Sequence, residues 1–263
     1  MKLEQRYLDL LSQCIPDQLL DPDKLLRFAA LYERLNLTNE KINVTSITDP
    51  VGVTLKHFAD SLSLGSVPEF LTAAKNGADV CDVGCGGGFP GLPLAIAFPH
   101  LRITMIDSTE KKIRALAENA DALALSNVTP VSGRGENLAG FERDDRERFD
   151  AAFSRAVADL PVLCELCLPF VKPGGYFFAL KGARAEEELA ASRRAIETLG
   201  GSFVRLQPIR FSRPASLELL SPEEKDLAEE FLASSRSIVV VQKTSATPPK
   251  YPRPWGQIKK KPL

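Results

Sequence analysis

The stretch that decides the fold is residues 78–93, which read ADVCDVGCGGGFPGLP. A short apolar run, Val80 to Val83, is typical of a buried strand, and it ends in the glycine-rich turn 84–88. Pro90 and Pro93 then open an apolar stretch that is typical of a helix. Glycine permits positive φ and leaves no Cβ between the backbone and a ligand, and the first N–H groups of a helix have no partner inside it. This order of strand, turn and helix predicts a turn that binds a nucleotide-like molecule.

Two classes of ligand fit this turn. The dinucleotide fingerprint G-x-G-x-x-G fails from Gly84, because its third glycine position is Phe89, but it can be placed from Gly86 to Gly91. The other ligand is S-adenosylmethionine, whose turn has an acidic residue followed by alternating glycines: here Asp82, Gly84, Gly86 and Gly88. A carboxylate at Asp82 would repel a pyrophosphate, whereas it suits a ligand that carries an ammonium and a sulfonium. This favours a methyltransferase over a dehydrogenase, with a glycine bend that packs without a ligand as the third alternative.

The composition further limits the classes of protein to which the chain can belong. The chain has 263 residues, of which 44% are hydrophobic and 25% are charged, as in ordinary globular proteins. This length suits one large domain, or one domain with a helical extension. Since the formal net charge is only −1, any affinity for nucleic acid must come from local patches.

The cysteines and the N-terminus indicate a compartment. Five cysteines are an odd number, and the opening MKLEQRYLDLLSQC lacks the apolar core of a signal peptide, so we expect a reduced, cytoplasmic protein. Cys164 and Cys167 lie in the apolar segment PVLCELCLPF without a second pair at zinc-like spacing. We interpret them as helix packing and expect no metal. The longest stretch without Asp, Glu, Lys or Arg, 83–101, holds five glycines and three prolines, so we expect no membrane span.

The hydrophobic pattern predicts an α/β fold. Residues 1–65 have helical periodicity, with a third helix that begins after Asp49 and runs from Pro50 to Leu64. From residue 78, predicted strands alternate with helices, at 79–83, 102–106, 128–131, 151–153 and 176–180. Such alternation implies a parallel sheet with right-handed crossovers.

The end of the chain differs from this alternation. After a predicted helix at 185–199, two strands at 203–208 and 237–242 look paired, and a capping box at 221–224 opens a short helix between them. An antiparallel strand on a parallel sheet distinguishes methyltransferases from dinucleotide-binding proteins. We therefore predict a Rossmann-like methyltransferase fold. Its predicted divisions are a helical extension (1–65), the Rossmann-like domain (66–247) and a basic tail (248–263).

Polar residues follow two of the predicted strands. Asp107 lies at the end of the second strand, where an acid accepts both ribose hydroxyls of an adenosine, in NAD and in S-adenosylmethionine alike. Arg134, Gly135 and Glu136 follow the third strand, where methyltransferases contact adenine. Glu136 could equally be a solvated loop residue.

The end of the fourth strand, Phe153 to Val157, lacks two well-known motifs. It has neither the Asn/Asp-Pro-Pro-aromatic motif of exocyclic amine methylation nor the Pro-Cys nucleophile of cytosine-C5 methylation. The remaining acceptor is one that is already nucleophilic, such as N7 of guanine, and it needs no base. Catalysis then rests on proximity and orientation, so we predict no catalytic residue, with Arg155 as a candidate for orienting guanine. The alternative for Arg155 is a salt bridge, for instance to the preceding charged loop.

The C-terminal tail is basic and carries aromatic residues. From Lys243 onward it contains no acid, and its cations are Lys243, Lys250, Arg253, Lys259, Lys260 and Lys261. Tyr251 and Trp255 lie among these charges, a combination that suits stacking on bases and contact with phosphates. The alternative is a disordered, solubilising tail.

The chain resembles the bacterial small-subunit ribosomal RNA guanine-N7 methyltransferases, also called the glucose-inhibited division protein B family, over nearly its whole length. The segments that carry the resemblance are 43–46, 56–57, 60–61, 82–91, 107–108, 154–156, 181–182 and 251–253. Among them, the Gly-Phe-Pro-Gly extension at 88–91 and the N-terminal segments are more specific than the glycines.

The resemblance implies S-adenosylmethionine as the cofactor and 16S ribosomal RNA as the substrate, in the 530 loop near the decoding centre. The partner would be the small ribosomal subunit or its precursor, and we expect a monomer. With the glycine turn, the predicted cofactor contacts are Asp82, Gly84, Gly86, Gly88, Phe89, Asp107, Ser108, Gly135, Glu136 and Arg155. The predicted RNA contacts are His57, Arg155, Lys181, Lys250, Tyr251 and Arg253. On its own, His57 would more simply be a helix-packing residue.

Two departures from the family pattern are visible. Val44 replaces the usual leucine of the Asn-Leu-Thr segment, and the stretch 212–236 forms a longer, acidic insertion between the last two strands. The alternatives that stay open are a methyltransferase for another RNA base or a small molecule, and an RNA-binding assembly factor without turnover.

Overall fold

A seven-stranded sheet forms the centre of the computed structural model, which describes residues 2–263. The strands are β1 (Asp79–Val83), β2 (Arg102–Asp107), β3 (Val128–Ser132), β4 (Phe149–Arg155), β5 (Val171–Lys181), β6 (Gly201–Ile209) and β7 (Arg236–Lys243). Their order is β3-β2-β1-β4-β5-β7-β6. The first five strands are parallel, and β7 lies antiparallel between β5 and β6. The predicted parallel sheet with a terminal antiparallel strand is therefore confirmed.

Helices cover both faces of the sheet. They are α1 (Gln5–Cys14), α2 (Pro22–Lys41), α3 (Pro50–Gly52), α4 (Asp60–Leu62), α5 (Pro68–Lys75), α6 (Gly91–Ala97), α7 (Glu110–Ala122), α8 (Gly135–Leu138), α9 (Leu160–Cys167), α10 (Ala185–Thr198), α11 (Pro222–Ala233) and α12 (Trp255–Lys260). One core lies between the sheet and the helices α1–α7 and α11, and a second lies against α9, α10 and α12. In β1, Val80 faces the first core and Cys81 the second, as expected for a parallel strand that is covered on both sides.

The N-terminal helices share the first core with the sheet. Phe28 and Phe58 are fully buried in the same cluster as Val80. The helix predicted at 50–64 begins as expected, because the Asp49 carboxylate accepts the N–H of Gly52 at 2.6 Å. Its middle, Val53–Ala59, is a π-helix, which the sequence pattern did not predict. The predicted boundary at residue 65 stays a prediction, since no separate core lies on either side of it within residues 2–263.

The acidic insertion packs on the N-terminal helices. The capping box predicted at Ser221 and Glu224 is present at the start of α11. The Glu224 carboxylate also accepts the hydroxyl of buried Tyr7 at 2.5 Å and pairs with Arg6 at 3.3 Å. The insertion thus closes the outer side of the helical layer.

The remaining predictions about packing concern the cysteines and the tail. All five cysteines are buried, and Cys164 and Cys167 lie in α9 as predicted. The tail is folded, because α12 packs against α9 and Ile258 is fully buried. Within residues 2–263, every helix is too short or too polar to cross a bilayer.

Candidate active site

The turn after β1 adopts a backbone that requires glycine. The left-handed or otherwise positive φ values are +77° at Gly84, +54° at Gly86 and +100° at Gly88. The N–H groups of Gly84 and Cys85 donate to the Ile106 carbonyl at 2.8 and 3.0 Å, which joins the turn to β2. A Cβ on Gly84 would lie 2.4 Å from the side chain of Val157, so any larger residue would displace the chain after β4.

Asp82 lies beneath this turn. Its carboxylate is fully buried and accepts the N–H of Gly91 at 2.9 Å through Oδ2, whereas Oδ1 has no hydrogen-bond partner in residues 2–263. Burial raises the pKa of Asp82 to about 7, against the lowering effects of the Gly91 hydrogen bond and the Arg155 charge. Asp82 therefore stabilises the turn through its hydrogen bond to Gly91.

Asp107 ties the end of β2 to the turn. Its Oδ2 accepts the N–H of Gly86 at 3.0 Å, and its Oδ1 accepts the N–H of Thr109 at 2.8 Å, just before α7. A carboxylate can accept more bonds than these two, so Asp107 keeps lone pairs for a ligand.

A cavity of about 470 Å³ lies over the turn, at the carboxyl ends of the strands. Eight of the predicted cofactor residues line it: Gly84, Gly86, Phe89, Asp107, Ser108, Gly135, Glu136 and Arg155. The other two, Asp82 and Gly88, are not among its lining residues. The carboxylates of Asp107 and Glu136 suit the hydroxyl and amino donors of an adenosine, and the glycine backbone leaves room for a ligand. The residues present therefore fit S-adenosylmethionine.

Arg155, at the end of β4, is held by the N-terminal helical layer. Its Nη1 donates to the Lys56 carbonyl at 2.9 Å and to Asp60 Oδ2 at 2.8 Å. Asp60 Oδ1 in turn pairs with Nε of Arg236 at 3.1 Å. The salt bridge expected as the alternative role of Arg155 exists, but its partner is Asp60 and not the charged loop before β4.

His57 contacts the second terminal nitrogen of Arg155, Nη2. Its ring stacks on Phe89, with centroids 4.4 Å apart and 11° between the planes. Nδ1 accepts from Arg155 Nη2 at 3.3 Å, which leaves Nε2–H to donate to Thr45 Oγ1 at 2.8 Å. Burial and the Arg155 charge lower the pKa of His57 to about 3, so the ring is neutral at physiological pH. The packing role considered for His57 is present, together with the contact to Arg155.

A wider cleft of about 1190 Å³ adjoins the cofactor cavity. Five residues line both: His57, Arg155, Ala156, Val157 and Trp255. Ala156 has a φ of +56°, a conformation that costs a non-glycine residue on the order of 1–3 kcal/mol. Lys181 also lines the cleft, but its ammonium is nearly buried, where it donates to the Ala158 carbonyl and pairs with Glu188, both at 2.7 Å.

The predicted RNA contacts of the tail have different surroundings. Lys250 is exposed, whereas Tyr251 is buried. Arg253 forms two hydrogen bonds from its guanidinium to the fully buried carboxylate of Glu165, at 2.5 and 2.8 Å. Arg253 thus fastens the tail to α9, Tyr251 is buried in the second core, and the contact of both residues with RNA stays a prediction.

Three residues of the site were not among the cofactor and RNA contacts that the sequence predicted. Asp60 lies in a segment that carries the family resemblance, which is a signal for it. Arg236 contacts Asp60 from the start of β7, and Trp255 reaches the cavity from the tail. The sequence position of Arg236 gives no sign of its contact, whereas Trp255 lies in the basic tail, whose aromatic residues suit stacking on bases.

The glycine turn, the two acids and the cavity at the ends of a sheet that closes with an antiparallel strand define an S-adenosylmethionine-dependent methyltransferase. A crystal structure of an O-methyltransferase from Bacillus cereus in complex with SAH has the same fold. It matches with a TM-score of 0.52 at 16% identity, over 81% of this chain and 91% of that one. The chain belongs to the rRNA small subunit methyltransferase G family, whose model matches residues 24–211.

Relatives named ribosomal RNA small subunit methyltransferase G extend this similarity beyond the family model. The protein from Staphylococcus carnosus is 42% identical over 237 residues, which are 90% of each chain. The protein from Geobacillus thermodenitrificans is 40% identical over 99% of this chain and 96% of its own. The similarity therefore includes the C-terminal tail.

Proposed function

We propose that this chain transfers a methyl group from S-adenosylmethionine to N7 of a guanine in 16S ribosomal RNA, in the loop near the decoding centre. The observation that carries the proposal is the position of Arg155. Its guanidinium lies where the cofactor cavity meets the wider cleft, next to a histidine that is unsuited to act as a base.

The donors of Arg155 support its role in orienting guanine. Of its five N–H bonds, three donate to Lys56, Asp60 and His57, which leaves two without a partner in residues 2–263. An Arg N–H that donates to O6 of guanine leaves the lone pair of N7 free to react. Arg155 would thus hold the base while its own position is set by three contacts.

The surroundings of His57 agree with an acceptor that needs no base. Bound S-adenosylmethionine supplies an electrophilic methyl group on a sulfonium. N7 of guanine carries no proton at neutral pH, so no residue has to remove one. Both nitrogens of His57 are engaged, with Arg155 and Thr45, and its lowered pKa makes it a poor proton acceptor. The chain then acts by placing the two reactants together.

Methyl transfer from labelled S-adenosylmethionine tests the proposal. The substrates are small-subunit particles and naked 16S RNA from a strain that lacks this gene. Borohydride reduction and aniline cleavage, which are selective for N7-methylguanine, should give a stop at one guanine. Label without cleavage would move the reaction to another base, and no label despite cofactor binding would indicate an assembly factor without turnover.

We further propose that the enzyme acts as a monomer in the cytoplasm, on the small ribosomal subunit or its precursor. Light scattering of the purified protein should give the mass of one chain, and a mass of two chains would contradict this.

A further inference from the structure

One of the five residues shared by the cofactor cavity and the cleft comes from the C-terminal tail. His57 belongs to the π-helix, and Arg155 to Val157 follow β4, whereas Trp255 is the first residue of α12 in the tail. It is the only tryptophan in the sequence. Since a methyl group must pass from one cavity to the other, the residues that line both surround the point of transfer.

The tail holds Trp255 in place by contacts on both sides of it. On the N-terminal side, Arg253 is bound to buried Glu165, and Arg146 donates to the carbonyl of Tyr251 at 2.8 Å. On the C-terminal side, Ile258 is fully buried in the second core. Trp255 itself is partly buried, since it packs against this core while it also borders the two cavities.

Among the shared residues, Trp255 alone offers an uncommitted aromatic side chain. The ring of His57 is stacked on Phe89, and Ala156 and Val157 are aliphatic. Unpaired RNA bases are commonly held by stacking on aromatic side chains. We propose that Trp255 stacks on the target guanine and holds it at the junction while Arg155 contacts its edge. This inference rests on the proposed function and adds a residue that selects and positions its substrate.

The competing ligand for the indole is the adenosine of the cofactor. Asp107, Ser108 and Glu136, which suit an adenosine, line the smaller cavity and do not line the cleft. Trp255 lines both, together with Arg155. The indole therefore reaches the cleft, which these adenosine-binding candidates do not.

Kinetics of two variants test the stack against a role in packing alone. Trp255→Phe keeps an aromatic face, and Trp255→Leu keeps an apolar side chain without one. With small-subunit particles as substrate, we expect Trp255→Leu to raise KM about tenfold or more, as for the loss of one base–aromatic stack, and Trp255→Phe to stay within about threefold. Calorimetry with S-adenosylhomocysteine should give unchanged affinity for both variants.

Fluorescence gives a second measurement, because all tryptophan emission comes from Trp255. With S-adenosylhomocysteine present, an RNA hairpin with one unpaired guanine should quench the emission more than a hairpin with an abasic site there. Equal KM values for the Leu and Phe variants, or a matching loss of cofactor affinity, would overturn the stack while an active wild type leaves the proposed function intact. A wild type that transfers no methyl group would overturn the proposed function itself.

Discussion

Asp60 is the charged residue on which the geometry of Arg155 depends. Its two carboxylate oxygens bind Arg155 and Arg236 separately, at 2.8 and 3.1 Å, and all three side chains are less than one-fifth exposed. Burial lowers the pKa of Arg236, and the nearby charge of Arg155 lowers it further, although Asp60 opposes this. The carboxylate therefore keeps two like charges close together at the edge of the cleft.

We predict that Asp60→Asn lowers kcat/KM by about 10²-fold, because Arg155 loses the partner that fixes its position relative to the cofactor cavity. Methyl transfer to small-subunit particles measures this effect, and affinity for S-adenosylhomocysteine should change little. Asp60→Glu should recover part of the activity. Asp121→Asn, at an exposed site of α7, is the matched control and should behave as the wild type. Full activity in Asp60→Asn would contradict this positioning role.

Asp82 predicts a dependence of stability on pH. Its pKa is about 7 in the folded chain, mainly because of burial, compared with an ordinary value of 3.8. The folded chain therefore binds a proton that the unfolded chain releases between these values, so this residue lowers the free energy of unfolding as pH rises from about 4 to about 7. The effect is complete above that window.

Asp82→Asn cannot ionise, and its amide oxygen can still accept the N–H of Gly91. We expect its stability relative to the wild type to increase across this pH window, by about 4 kcal/mol at most. Urea unfolding at a series of pH values measures the difference. The stability difference between Asp121→Asn and the wild type should not change with pH. If the difference for Asp82→Asn also did not change with pH, the buried carboxyl would have an ordinary pKa.

At the scale of elements, the sequence predicted the parts that depend on local pattern. Apolar runs that end in turns located all seven strands, six of them to within two residues, whereas β5 begins five residues before its predicted start. Asp49 and Ser221 located two helix starts. The π-helix was missed, because side-chain periodicity does not show a change in backbone hydrogen bonding. The packing of the tail on α9 was not predicted, because the Arg253 contact with Glu165 joins residues 88 positions apart.

The Arg253 contact leads to a prediction about the tail as an element. Glu165 is fully buried, so Arg253→Ala removes the cation that pairs with it and leaves the backbone N–H of residue 253 as a donor; this should cost about 3–5 kcal/mol of stability. Thermal unfolding measures this loss, and limited proteolysis should then cut the tail. Lys250→Ala, at an exposed site directly before buried Tyr251, is the control and should leave stability unchanged. An Arg253→Ala variant with normal stability and weak RNA binding would instead favour direct RNA contact.

For the whole molecule, the distribution of charge decides how RNA is attracted. The net charge is only −1, and three cations of the cleft are paired: Arg155 and Arg236 with Asp60, and Lys181 with Glu188. The tail, in contrast, exposes Lys250, Lys259, Lys260 and Lys261. Phosphate contacts should therefore come largely from the tail, which also carries Trp255 to the point of transfer.

This arrangement predicts the salt dependence of binding. Each phosphate contact contributes about 0.7–0.9 to the slope of log affinity against log salt, so Lys250→Ala with Lys259→Ala should flatten this slope by about 1.5. Filter binding of small-subunit particles over a range of salt concentrations measures it. The matched control is Lys2→Ala with Lys75→Ala, which removes the same charge from exposed sites that line neither the cofactor cavity nor the cleft. Equal slopes for the two double variants would mean that attraction depends on total charge, and the tail would then serve only to hold Trp255 at the site.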